Sequence, residues 1–546
     1  MNPDSDLKHS VSFLIILSFA LLLHYPIFKT EGFTPRNDWK PLIPTIDRPL
    51  HPQVEANIED FGVLNLKWEW SLGRFYPVLN TIQVLEAFVF KKSPKLWHIE
   101  TLIIGITTSL LFYIILIRLG FTFITSTLSS LWFLSRGTDL WSEKQFQEEP
   151  GMLFVMLAIL FFIIGAKKAR GSKYDWIAVV FLALAGLTKE TFVFLFPAIL
   201  LFRVFLSSYL FDRKPVFEVI REHRMIISAV GVMFLLQLFI SYYAYSHGPY
   251  TQEVIGNLFS VSVPKVASMI TEASRYLSYF VPSLGMIILV PIALRNRSEI
   301  KRYLFILIIL GLLVLPQIFV FKNIGFITHY IYPAIIGFIL LNAIGLEALW
   351  QKGTKPARVF FIILSLFSIL TIISSFPATR NFTEEKIAVA NTYASAAKQA
   401  IDSAGEKSAI LMVCDRPWWG LGISMLVDLS KENLDCPVYF DYPEYNPKAD
   451  NYASTTNLGV KLLSRYLLRL NPQDTTEIDI IFSTYPTEKS IQIIQDHYDW
   501  FNRNDWKIYK CKNYYYNYQI RSFNFVQYRK KENFIEYTVF VRNDRL

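Results

Sequence analysis

Five short segments of this chain set ionisable side chains against apolar or aromatic sequence, and each has a chemistry it could perform. Asn37-Asp38-Trp39 offers a carboxylate able to act as a general base or a metal ligand, or to sit solvated beside an interfacial Trp. Gly73-Arg74-Phe75-Tyr76-Pro77 holds a guanidinium among aromatic rings. There it can grip a phosphate with two parallel hydrogen bonds or snorkel to lipid headgroups. Glu148-Glu149-Pro150 opens an apolar run shortly after Glu143. Acids in a first helical turn, with Pro beside them, complement the helix dipole. That accounts for their tolerance, but not for two adjacent acids near a third. Leu187-Thr188-Lys189-Glu190-Thr191 places a Lys and a Glu between two apolar runs with almost no loop. A charge near a bilayer centre costs roughly 2.5–3.5 kcal/mol on insertion scales, so such a pair must be neutralised internally or face a cavity. Thr328-His329-Tyr330-Ile331-Tyr332-Pro333 puts an imidazole in an aromatic belt, where it could meet a phosphate or a metal.

The elements that must position these groups are membrane helices. The chain has 546 residues, 52% of them hydrophobic and only 18% charged. A soluble domain carries about 25% charge, so this balance excludes disordered chains, disulfide-stapled miniproteins and ordinary soluble enzymes. Apolar runs mark eleven candidate spans: 10–29, 99–118, 121–136, 151–166, 176–188, 191–209, 225–245, 277–294, 303–321, 330–349 and 358–376. Spans 121–136 and 176–188 are short for a bilayer of ~30 Å and read as tilted, broken or re-entrant. The first follows a short N-region with Lys8 and reads as a retained anchor.

Net charge is +9, from 54 basic and 45 acidic residues, and its distribution sets orientation rather than nucleic-acid binding. Lys167, Lys168, Arg170 and Lys173 mark one basic connection; Arg203, Arg213, Lys214, Arg221 and Arg224 mark the next. Two later connections are basic as well, while the intervening ones are poor in Lys and Arg. The basic loops therefore face the cytoplasm. Segments 30–98, 137–150, 246–275 and 322–329, and everything after 376, lie outside. The long outer loop 30–98 suggests interfacial helices over Phe61 to Phe90. Residues 1–376 thus form a transmembrane domain. Residues 377–546, polar and rich in Tyr, read as a soluble extracytoplasmic α/β domain. Strands are expected at Ala409 to Val413, Ile478 to Phe482 and Tyr537 to Val541, and amphipathic helices at 384–403 and 488–501. Cys414, Cys436 and Cys511 leave room for one disulfide. No GxxxxGK[ST], HExxH or Gly-x-Ser-x-Gly pattern occurs, and Gly420-Leu421-Gly422 is too short to read as a dinucleotide loop.

In order and common sidedness these segments resemble the GT-C superfamily of polytopic glycosyltransferases, in particular its protein mannosyltransferase and aminoarabinose transferase branch. The resemblance rests on Asn37-Asp38-Trp39, Gly73 to Pro77, Glu148-Glu149, Ala185 to Glu190, His329 to Pro333 and an outer C-terminal domain. It covers most of the chain to about residue 376. Family members often have paired acids after the first span; here Asn37 replaces one.

The resemblance implies a plasma or inner membrane enzyme that moves a sugar from a polyprenyl-phosphate donor to a lipid, glycan or protein acceptor, with inversion, at the extracytoplasmic face. By position Asp38 would be the base. Arg74, Lys189 and His329 would offset the leaving phosphate, with Tyr76 and Glu190 beside them. Glu148 or Glu149 would orient the acceptor or help hold a divalent cation, Mg2+ or Mn2+. No nucleic acid partner is implied. A flippase for lipid-linked saccharides using the same charges as a path is the alternative, as is a polysaccharide polymerase or ligase with pyrophosphate donors. The sequence shows no internal repeat of the kind transporters carry.

Overall fold

A computed structural model describes residues 3–31, 75–90, 93–136, 141, 148–167, 173–247, 283, 285–287, 297–321, 328–404, 408–414, 425, 436, 438–441, 468–469, 478–521 and 527–545. The described residues up to Asp402 are mostly helical. α1 spans Pro3–His24 and continues as a tight turn over Tyr25–Lys29. Then follow α2 (Pro77–Phe90), α3 (Pro94–Arg118), α4 (Phe123–Arg136), α5 (Glu148–Ala166) and α6 (Lys173–Thr188). A 3-10 turn over Glu190–Leu195 leads into α7 (Phe196–Phe205), which loosens into a π turn at Leu206–Leu210. α8 (Val216–Glu222), α9 (Arg224–His247), α10 (Arg297–Phe321), α11 (Thr328–Lys352) and α12 (Lys355–Asp402) complete the bundle.

Seven stretches among the described residues are long and apolar enough to cross a membrane: Leu7–Lys29, Pro94–Arg118, Glu148–Ala166, Glu190–Leu210, Arg224–Ala244, Ala334–Lys352 and part of Lys355–Asp402. They match seven of the eleven expected spans. Expected spans 121–136 and 176–188 are the 14- and 16-residue helices α4 and α6. At 1.5 Å per residue these reach about 21 and 24 Å. Expected span 303–321 lies within the 25-residue α10, and 277–294 falls almost wholly outside the described residues. Chain reversals after α3 and α11 use left-handed residues that glycine adopts without a Cβ clash, Gly120 at φ 90° and Gly353 at φ 64°.

The span 358–376 and the helix 384–403 are not separate elements, as the sequence suggested. They form one 48-residue helix, α12, with Pro377 inside it. Side chains tie this helix to α1. Pro26 has no N–H to give to the carbonyl of Leu22 four residues back; Arg380 Nη1 donates to that oxygen instead, at 2.9 Å. Asn391 donates to the Lys29 carbonyl (2.9 Å) and accepts from the Glu31 N–H (2.8 Å).

α12 leads directly into the C-terminal sheet. Its six strands are β1 (Ala409–Val413), β2 (Val438–Asp441), β3 (Leu468–Arg469), β4 (Ile478–Ser483), β5 (Trp506–Arg521) and β6 (Gln527–Arg542). The order is β3-β2-β1-β4-β6-β5. The first four run parallel, and β6 pairs antiparallel to both β4 and β5. β1 and β4 are buried along their whole length because both faces are covered. Ile410, Met412, Ile480 and Phe482 pack with Tyr393, Ala396, Ala397 and Ala400 of α12 and with Trp97 of α3. Leu411, Val413 and Ile481 face Ile491 and Ile494 of α13 (Thr487–His497). The three expected strands are present, but Tyr537 to Val541 is only the end of a 16-residue strand in a long hairpin.

The disulfide left open by the sequence does not form. Ile410 pairs with Val438, so Cys414 follows the end of β1 while Cys436 precedes the start of β2. Six strand positions separate them, about 20 Å, and a bridge needs Cα atoms within ~7 Å. Cys511 lies on β5, three strands away from β1.

Candidate functional site

α6 and the leg that follows it form an antiparallel hairpin with Lys189-Glu190 at its tip. Lys189 is extended (φ −159°, ψ 134°), so the helix breaks there and the next residues restart as a 3-10 turn. That break gives two consecutive side chains different partners. Lys189 Nζ bonds Glu148 Oε1 in the first turn of α5. Glu190 Oε1 accepts a hydrogen bond from the Tyr76 hydroxyl, just before α2, at 3.0 Å. A Cβ on Gly151 would overlap the ring of Phe192, so the tip and the start of α5 meet at two successive points.

The residues thus brought together are Tyr76, Glu148, Lys189 and Glu190, with Glu149 beside Glu148. Glu148 and Glu149 are each 1% exposed and Lys189 3%. One ammonium and three carboxylates are thus gathered at this end of the hairpin. No group of three His, Cys, Asp or Glu among the described residues is arranged to hold a metal ion.

Asp38 and Arg74 lie outside the described residues. His329 is in the first turn of α11, but its side chain is outside them too. Sequence reasoning missed Gln237. It sits in mid-α9, 7% exposed, where its Nε2 donates to the Ala183 carbonyl at 3.4 Å. A Cβ on Gly186 would overlap this amide and Phe196, which is why the Ala-Gly-Leu-Thr-Lys-Glu stretch carries glycine there. An uncharged amide in an otherwise apolar run gives no charge signal to find.

Toward the middle of the bundle the cluster gives way to an apolar hollow. It is lined by Phe112, Val155, Met156, Leu195, Ile309 and Ile336, among others. Val155 is seven residues along α5 from Glu148, about 10 Å.

The opposite end of the same hairpin carries a second buried charge network. Arg203 of α7 gives Asp175 of α6 two hydrogen bonds, Nε to Oδ1 at 2.7 Å and Nη2 to Oδ2 at 3.1 Å. Its Nη1 donates to Ser207 at 2.7 Å, and His223 Nε2 lies 3.3 Å from Nη2. Arg203, read from sequence as a basic-loop residue, is 2% exposed inside a helix.

No protein-family model and no curated protein matches the chain. Solved structures do. ArnT from Cupriavidus metallidurans in the apo state aligns over 96% of this chain and 97% of its own, with TM-score 0.47 and 9% identity. The same enzyme bound to undecaprenyl phosphate aligns over 97% and 98%, with TM-score 0.48 and 10% identity. The Archaeoglobus fulgidus oligosaccharyltransferase in the apo form aligns over 90% of this chain and 71% of its own, with TM-score 0.45 and 12% identity. Both are GT-C glycosyltransferases. Overlap at this level assigns neither a substrate nor a residue role; those must come from this chain's own side chains.

Proposed function

We propose that this protein is an integral membrane glycosyltransferase that moves a sugar from a polyprenyl-phosphate donor to a lipid, glycan or protein acceptor. The observation that carries the reading is the buried group Tyr76–Glu190 and Lys189–Glu148 at one end of the bundle, with an apolar hollow below it. A polyprenyl phosphate has the same division: hydrocarbon that needs an apolar lining, and a phosphate that needs a cation. By the Lys/Arg bias this end is extracytoplasmic, as is the C-terminal sheet.

In the reaction a carboxylate, Asp38 in this reading, removes the proton of an acceptor hydroxyl. The freed oxygen attacks the anomeric carbon from the face opposite the phosphate. The carbon–oxygen bond to phosphate breaks, its electron pair stays on the phosphate oxygen, and the configuration inverts. Lys189, with Arg74 two residues before Tyr76 and His329, offsets the charge of the departing phosphate. For this Lys189 must be shared between Glu148 and the phosphate, and Glu148 or Glu149 is left to orient the acceptor. Such carboxylates would also suit a hard divalent cation, Mg2+ or Mn2+. ArnT and the oligosaccharyltransferase have been seen with undecaprenyl phosphate and with dolichol-phosphate. The Archaeoglobus enzyme has also been seen with Zn and sulfate.

The test is transfer from polyprenyl-phosphate sugars by the reconstituted protein. Lys189→Met should lower kcat by at least about 10^2-fold, the scale of removing one preorganised charge-stabilising donor. Arg74→Ala should lose activity that extra donor restores. Full activity of Asp38→Asn would remove Asp38 from the base role, and full activity of Lys189→Met would end the reading.

A further inference from the structure

Residues 211–223 join the spans Glu190–Leu210 and Arg224–Ala244 at ends that the Lys/Arg bias makes cytoplasmic. α8 lies in this connection, outside both spans, yet it turns apolar side chains outward. Phe217 is 87% exposed and Ile220 39%, and Met225, just past α8, is 67% exposed. Arg221 is exposed as well. At 100° per residue Ile220, Phe217 and Arg221 fall within an arc of about 100°, and buried Val219 faces the other way. Packing fixes the helix in that attitude. His223, which follows α8, is buried, and its Nε2 lies 3.3 Å from Arg203 Nη2 in the closed network. An exposed phenyl ring on a span meets hydrocarbon. One on a connection meets it only where the connection lies on the membrane.

The charges around α8 are sorted. Lys214 gives Glu222 two hydrogen bonds, at 2.7 and 2.8 Å. The carboxylates of Asp212 and Glu218 also lie near enough to act on its ammonium. The acids of the connection thus gather around one base. Arg213, Arg221 and Arg224 are exposed and bond no acid among the described residues. In sequence these three guanidiniums bracket Phe217 and Ile220. A guanidinium meets a phosphate through two parallel N–H bonds, so the surface joins apolar side chains to free phosphate donors.

We propose that α8 is a docking surface for anionic phospholipid of the cytoplasmic leaflet. Phe217, Ile220 and Met225 enter the boundary of the acyl chains, and Arg213, Arg221 and Arg224 hold lipid phosphates. A zwitterionic lipid offers the same phosphate but offsets it with its own ammonium, so a lipid of net negative charge is preferred. The inference stands on this connection alone and needs no transfer activity.

Photocrosslinking of the full-length protein in nanodiscs tests it. p-Benzoylphenylalanine replaces Phe217, one ring for another at an exposed position. The discs hold phosphatidylglycerol and phosphatidylcholine in equal amounts. Irradiation should join the peptide around residue 217 to lipid, with phosphatidylglycerol adducts at least about fivefold over phosphatidylcholine adducts. Arg213→Gln, Arg221→Gln and Arg224→Gln together should bring that ratio to about one while lipid adducts persist, because the apolar contact remains. Raising salt from about 0.1 to about 1 M shortens screening from about 10 to about 3 Å, and should narrow the ratio without any arginine substitution. No adduct would place Phe217 in water, and an adduct to protein alone would place it against another chain; either overturns the proposal. So would equal labelling of the two lipids with the arginines intact, or a ratio unmoved by the three substitutions or by salt.

Discussion

The two ends of the hairpin formed by α6 and residues 190–210 are built from the same materials and do different things. Asp175 and Arg203 lie at equal sequence distance from Lys189 on the two legs, roughly 20 Å from the tip along each. At their end charge is balanced and the guanidinium is spent: Arg203 reaches Asp175 twice, Ser207 once, and lies beside His223. Gly165 brings α5 so close that a Cβ there would strike Asp175. Nothing could enter without breaking the network. The tip end is richer in acid. Lys189 bonds Glu148, Glu149 is buried beside it, and half-buried Glu190 accepts from Tyr76. A buried ion pair with no further charge holds helices in register; one set among further polar groups above an apolar hollow is placed to meet an amphiphilic ligand.

Paired substitutions separate these roles most widely. Glu148→Gln with Lys189→Met removes the buried ion pair as a unit, so the thermal midpoint should move less than in either single variant. Transfer should still fall by about 10^3-fold or more, since the phosphate loses its cation and the acceptor its guide. Asp175→Asn with Arg203→Met makes the matching change at the other end, and kcat should stay within a few-fold of wild type. Equal loss of activity in both doubles would erase the distinction.

Next in size is the cost of breaking the closed end singly. Arg203→Met alone takes the guanidinium from buried Asp175 and leaves it only His223 at 3.9 Å; breaking a buried pair in this way typically costs about 3–5 kcal/mol. Thermal unfolding should show it as a large drop in midpoint. Adding Asp175→Leu should restore most of the loss, because an apolar pair replaces a buried ion pair at little cost. A midpoint unmoved by Arg203→Met would mean the network carries no stability.

A smaller effect is expected at the tip from one hydroxyl. Tyr76→Phe removes the hydroxyl that donates to Glu190. A hydrogen bond to a charged group is worth about 1.5–3 kcal/mol of stability, so the thermal midpoint should fall, and kcat should fall about tenfold as Glu190 loses its orientation. An unaltered kcat would place Glu190 outside the working cluster.

The same contrast explains what the sequence could tell. Glu148, Glu149, Lys189 and Glu190 stand out because charge interrupts apolar runs, and a bilayer makes such interruptions expensive. Tyr76 was legible through the Arg-aromatic segment it belongs to. Arg203 looked like one more base in a cytoplasmic connection; only packing shows it turned inward onto Asp175. Gln237 is uncharged, so hydropathy passes over it. In the C-terminal part, Ala409 to Val413 and Ile478 to Phe482 read as strands because they are short and largely apolar, although Asp479 interrupts the second. Most of β5 and β6 did not, because Lys507 to Arg521 alternates Tyr, Lys and Asn rather than apolar and polar residues. The turn to polar composition sets the end of the last span at 376, yet the helix runs on through Pro377, held to α1 by Arg380 and Asn391.

The subtlest difference between the two ends is in their response to acid. His223, in the turn before α9, has its pKa lowered from 6.5, first by burial and then by the Arg203 guanidinium and Lys214. Asp175 and Glu222 pull the other way and do not prevail. The folded protein therefore keeps this ring neutral where the unfolded chain would protonate it. Below about pH 6.5 the unfolded state binds more protons at this position, so stability falls with pH until the folded ring is also protonated; above 6.5 the contribution is whole and constant. Thermal midpoints measured from pH 5 to 8 should be flat at the upper end and decline at the lower for wild type. His223→Gln should decline less steeply. A variant with the wild-type slope would remove His223 from this role. The pH profile of transfer should be the same in His223→Gln as in wild type. If the variant shifts that profile, the two ends of the hairpin are coupled, and the closed network is a positioning element for the tip.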